Sequence, residues 1–213
     1  FNMQIKSFRN TFCGLLVCFG LLPTAFAVDF LSGDFQQILN ARSGKTVVWQ
    51  FAPNPAVYIY DFQGLLSQGR TFNRITQFTE QQGTVPYPRV LSNDELQRYI
   101  AASKRSEADF AFGHDVLVWE LVQFFNFASR DQIELNPEEV ELRNFLIEQG
   151  LMRQWRGFYQ AMKPDVVVLA VPQAQAKSGT EPMVTDDARF AILLHEMSHA
   201  EYYTNPHYAK YCQ

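Results

Sequence analysis

Ten residues near the end of the chain, Ala191-Ile192-Leu193-Leu194-His195-Glu196-Met197-Ser198-His199-Ala200, constrain the fold more than any others. The His-Glu-x-x-His spacing has chemical meaning only on a helix. At about 100° per residue, His195 and His199 sit roughly 40° apart on one face and one turn apart, so both imidazoles can reach one metal ion. Glu196 is turned about 100° from His195 and can touch a metal-bound water without being a ligand. The flanks suit a helix. Thr185 is a candidate N-cap, and Asp186 and Asp187 follow where the helix dipole favours negative charge. Ala188, Ala191, Ile192 and Leu194 offer an apolar side, and small Ala200 follows His199. The alternative is a half-buried helix whose two histidines are ordinary polar groups.

The run Leu194-His195-Glu196-Met197-Ser198-His199-Ala200 resembles the active-site helix of the zincin metallopeptidases. That resemblance implies a Zn2+ cofactor held by His195 and His199, with Glu196 as the catalytic general base. The run His199 through Pro206 also resembles uncharacterised exported bacterial proteins. The metzincin subgroup does not fit, because its third His would fall where Asn205 stands and its Gly where Tyr202 stands. Two ligands are one short of a catalytic zinc site. In zincins of the Glu-ligand type a carboxylate arrives from a downstream helix, so the third ligand is expected beyond Gln213.

Upstream of this helix the pattern is mixed. Residues 46–51 and 56–62 are rich in β-branched and aromatic side chains, with Ala52-Pro53-Asn54-Pro55 as the turn between them. Residues 165–172 read as a strand apolar on both faces, hence inside a sheet. Phe35 to Leu39 suits a short helix, and another is expected from Thr71. Ser92-Asn93-Asp94-Glu95 has the form of a capping box. Residues 115–129 read as one buried helix. Asn136-Pro137-Glu138-Glu139 opens the next, which Gly150 can end. Residues 151–162 are expected to continue as a further helix. The fold class is therefore α+β, zincin-like, a small sheet packed on several helices that include the metal-binding one.

The first 27 residues stand apart. Lys6 and Arg9 precede an apolar run at 12–22, Pro23 breaks it, and Ala25-Phe26-Ala27 suits a signal peptidase. Residues 1–27 thus read as a signal peptide, with a retained anchor as the alternative, and 28–213 as one domain. Export places the protein in the periplasm or outside the cell. Without Lys6 and Arg9 the chain has 16 basic against 22 acidic side chains, a net charge of −6. Nucleic acid is not expected as a partner, because no basic patch is visible to replace counterions on phosphate. No stable membrane association is expected once the leader is removed. Phe1-Asn2 before the first Met, and Cys212 left without Cys13 and Cys18, suggest that the domain is truncated at its C-terminus.

Other residues could carry chemistry as well. Glu120, within an apolar run, is expected to pair with an Arg, with zinc ligation as the alternative. His114 is expected in a loop or at an N-cap. Tyr202 and Tyr203 could donate to an oxyanion but suit packing better. Glu201 is about 200° from His199 and faces away, and His207 lies past Pro206. Together these features describe an exported zinc metallopeptidase or related hydrolase acting on a peptide or protein substrate, in which Glu196 activates a zinc-bound water. A non-catalytic zinc-binding or structural protein of the cell envelope is the alternative.

Overall fold

A computed structural model describes residues 28–81 and 86–212. The leader reading of residues 1–27 and the ligand expected beyond Gln213 lie outside them. Five strands form a mixed sheet, ordered β1 (Asp29–Gly33), β2 (Val47–Phe51), β3 (Val57–Phe62), β7 (Val167–Pro172) and β4 (His114–Leu117). The β1/β2 and β3/β7 pairs are parallel, and β2/β3 and β7/β4 are antiparallel. A separate hairpin pairs β5 (Met152–Trp155) with β6 (Phe158–Ala161). The helices are α1 (Phe35–Asn40), α2 (Leu65–Glu80), α3 (Asn93–Ala102), α4 (Val118–Arg130), α5 (Pro137–Glu148), α6 (Asp186–Thr204) and α7 (Pro206–Tyr211). The α+β class expected from the sequence is the observed one. Among the described residues no helix is long and apolar enough to cross a membrane.

The period of two along each strand divides the core into two halves. Tyr58, Tyr60 and Phe62 of β3, with Val168 and Ala170 of β7, face α2, α4 and α5. There Phe72, Phe124, Phe125 and Phe145 are buried against the sheet, and Tyr60 meets Phe62, Phe72 and Phe145 at ring separations of 5.4–6.1 Å. Val57, Ile59, Val167, Leu169 and Val171 face the other way, onto α1 and α6. All six residues of β3 and of β7 are buried, as expected for strands covered on both sides. Helix α6 thus forms the outer layer of a three-layer arrangement.

Local hydrogen bonds explain the helix starts. Ser92 with Glu95 and Asn136 with Glu139 form reciprocal capping boxes, and Pro137 takes the first helical position. Thr185 caps α6 by accepting from the Ala188 N–H at 3.1 Å, a contact typically worth about 1 kcal/mol.

Several expectations need correction. The segment taken as one helix from residue 115 begins as β4, which pairs with β7 before α4 starts at Val118. Residues 151–162, expected to be helical, form the β5–β6 hairpin. Its turn residues Arg156 and Gly157 have φ of 50° and 85°, the pair of positive values that a tight two-residue hairpin turn requires. Helix α2 starts at Leu65 rather than Thr71, and β1 was not anticipated. The buried face of α6 is Arg189, Leu193, Glu196, Met197 and Ala200, so Leu194 and Ala191 point outward instead.

Candidate metal centre

The orientation of α6 is fixed by Arg189, a fully buried cation near the helix start. Its guanidinium holds both carboxylate oxygens of Asp61, at 2.6 and 3.1 Å, and donates to the carbonyls of Ile38, Leu39 and Pro172. Asp61 lies on the same face of β3 as Val57 and Ile59, so the pair ties α6 to β3, β7 and α1 at once. Burial pushes the Asp61 carboxyl up, while Arg189 pulls it down. Below this anchor, Leu193, Met197 and Ala200 pack on the sheet. The absence of side-chain bulk at Ala200 lets the C-terminal half of α6 approach β7.

With that face inward, the motif residues fall where the sequence spacing places them. His195 is exposed and His199 half-buried, and their Nε2 atoms are 3.1 Å apart, the rings nearly perpendicular at 76°. Two nitrogens bound to one tetrahedral zinc at about 2.0–2.1 Å would be about 3.3–3.4 Å apart. The observed separation therefore suits both a shared cation and a direct N–H···N contact between neutral rings. Imidazole nitrogens suit zinc, as they also suit copper, iron and nickel.

Glu196 sits beneath them, only 5% exposed, and burial lifts its pKa to about 8, with the charge of Asp115 adding to the rise. Its carboxylate rests against the backbone of Gly113, at the entrance to β4. A Cβ built at Gly113 would lie 2.2 Å from Glu196 Oε1 and 2.8 Å from its Cδ. Glycine is needed here for close approach. Gly113→Ala should expel the carboxylate from this seat and return its pKa at least one unit towards the ordinary carboxylate value. A titration of the glutamate carboxyls by NMR checks this, and an unmoved Glu196 resonance would show that the seat tolerates a methyl group.

Asp115 alternates with His114 and Val116 along β4, so it faces α6. Burial raises the Tyr203 phenol pKa, and the nearby charges of Asp115 and Glu120 add to the rise. Tyr202 meets Tyr203 edge-on at 5.8 Å. The tyrosines thus lie beside the site, Tyr203 close to Asp115 of β4. Asp115 and Gly113 are the neighbours that sequence reasoning missed. The alternation His114-Asp115-Val116-Leu117 was the available signal, hidden by the apolar helix that follows.

The remaining candidates lie elsewhere. Among the described residues Glu120 pairs with no Arg and does not join the histidines; its Oε2 accepts from the Leu117 N–H at 2.8 Å, capping α4. His114 is neither in a loop nor at an N-cap. It is buried on the opposite face of the sheet, with Nδ1 2.7 Å from Thr76 Oγ1 and its ring stacked on Phe72. Burial depresses its pKa to about 4. Glu201 faces away as expected, accepting from Asn54 and Asn205, and Asn205 caps α7. His207 is exposed on α7. Among the described residues no cluster of three or more His, Cys, Asp or Glu forms a group that could hold a metal. Comparison with protein-family models, with curated proteins and with solved structures finds no match.

Proposed function

We propose that the chain is a zinc-dependent hydrolase of peptide bonds with a zincin-like arrangement of metal helix and sheet. The observation that carries this reading is the 3.1 Å approach of His195 Nε2 and His199 Nε2, with Glu196 on the same helix turned to the buried side. Zinc, when bound, supplies a Lewis acid and makes water acidic enough to lose a proton near neutral pH. His195 and His199 would hold the cation through neutral imidazole nitrogens. Glu196 takes the proton from the attacking water and passes it to the leaving amine. Gly113 and the apolar surroundings keep that carboxylate partly out of water, which makes it a stronger base. Strand β4 is the sheet edge beside Glu196 and, among the described residues, pairs only with β7. Its second edge can take an extended peptide by strand addition. The basic and then apolar pattern of residues 6–22 supports export to the periplasm or beyond.

The test is zinc content together with turnover of casein or unstructured peptides. Given added zinc, the protein should bind one ion per chain, and His195→Ala or His199→Ala should each abolish that binding. A chain that binds no added zinc would sink the metal assignment. Zinc retained without turnover would instead support the second reading, a non-catalytic zinc-binding or structural protein of the cell envelope.

A further inference from the structure

The β5–β6 hairpin lies on the far side of the sheet from His195 and His199. Met152, Tyr159 and Ala161 turn inward and pack with the core that α4 and α5 share. The outward face carries the cross-strand pair Trp155 and Phe158, which register directly opposite each other next to the turn. They are 52% and 65% exposed, although a directly opposed aromatic pair could bury itself in almost any sheet.

The charge at this place is the reverse of the rest of the chain. From residue 149 to 164 there are three cations, Arg153, Arg156 and Lys163, and no acid, whereas residues 28–213 carry a net −6. None of the three has a carboxylate partner among the described residues. Two of them lie over the same indole, Arg156 at 5.3 Å from the Trp155 ring centroid and Arg153 at 5.9 Å. Arg156 also has φ of 50° in a turn where Asn or Gly is the unstrained choice. The turn therefore keeps a cation at the tip despite a local backbone cost.

We propose that the tip of this hairpin docks on an anionic lipid surface, with Trp155 and Phe158 entering the interface and Arg153, Arg156 and Lys163 meeting the headgroup phosphates. Indole and phenyl rings beside cations on long aliphatic stems suit the boundary between acyl chains and headgroups. A nucleic-acid duplex presents phosphate over a longer span than this small patch can neutralise, and the acidic remainder would be repelled. A second copy would bring like charges together. The expectation of no stable membrane association is thereby revised for anionic membranes.

The experiment mixes the full chain with vesicles of phosphatidylcholine alone or with 30% phosphatidylglycerol, a composition chosen at roughly the anionic content that gives a strong surface field. Three cations near such a surface favour binding by on the order of a hundredfold. Partitioning should be stronger to the anionic vesicles by about that factor. The fluorescence lost on Trp155→Phe should be blue-shifted with vesicles and quenched by brominated acyl chains, a readout local to the hairpin. The double substitution Trp155→Ser with Phe158→Ser, and the triple substitution of the cations to Gln, should each weaken partitioning at least tenfold. Circular dichroism should show both folded, since all five side chains are exposed. Equal binding to both vesicle types, an unquenched Trp155, or variants that partition like the parent would overturn the proposal. So would hairpin-dependent self-association without vesicle binding, which would assign the patch to a second copy.

Discussion

Arg189→Met should destabilise the chain by about 3–5 kcal/mol, the scale of breaking a buried ion pair by removing one partner. The substitution retains roughly the aliphatic volume of the stem but removes every donor. Asp61 is then left fully buried without its counter-charge, and the carbonyls of Ile38, Leu39 and Pro172 lose theirs as well. Burial already raises the Asp61 pKa, and losing Arg189 removes the largest opposing influence, so the carboxyl would hold its proton to higher pH. The sign with pH follows. A carboxyl with a folded pKa raised above its unfolded value loses stability as pH rises between the two values. The defect should therefore be smaller in mildly acidic solution and larger at neutral pH. Arg189→Met combined with Asp61→Leu removes the orphan charge and should recover part of the loss, leaving the cost of the three unmet carbonyls. Urea midpoints at unchanged slope measure all of this. If Arg189→Met alone lies within about 1 kcal/mol of the parent, the anchor assigned to α6 is wrong.

That anchor also marks the limit of what the sequence shows. The caps at Ser92, Asn136 and Thr185 were legible because donor and acceptor are three residues apart. Strand β7 was legible because an unbroken apolar run bounded by Pro164 and Pro172 has few other uses. The His195, Glu196 and His199 geometry followed from helical spacing alone. The facing of α6 did not, because the partner that selects it, Asp61, is 128 residues away from Arg189. Without that partner, Leu194 and Ala191 are as plausible inward as Leu193 and Met197. Strand β4 was hidden for a similar reason. Its four residues run into the apolar start of α4, and only pairing with β7 separates the two. In the β5–β6 hairpin, apolar spacing permits a helix, and the backbone of Arg156-Gly157 decides otherwise. Gly113 has no local signature at all, since its role is to leave room for an atom 83 positions further along.

Glu196→Gln should move turnover and stability in opposite directions. Gln retains the shape of the side chain but cannot take a proton from water, so hydrolysis by the zinc-loaded protein should fall at least a hundredfold, the scale of a lost general base. Zinc should stay bound, because His195 and His199 are untouched. In the metal-free protein the consequence is different. Burial and Asp115 raise the Glu196 pKa to about 8, against an ordinary value near 4.5. At pH 7 the unfolded chain has released that proton while the folded chain still holds it. Wild-type stability therefore declines as pH rises from the lower value to the upper one, and levels off above it. A neutral amide carries no such penalty. Chelator-treated Glu196→Gln should thus be more stable than the parent at pH 7, by on the order of 2–3 kcal/mol, and equally stable near pH 4. A gain in stability with a loss of turnover is the signature of a residue kept for chemistry at the expense of the fold. Unchanged hydrolysis in the zinc-loaded variant would refute the general-base role. Loss of zinc would make Glu196 a ligand. A variant no more stable than the parent at pH 7 would mean that the carboxylate ionises freely in its seat against Gly113.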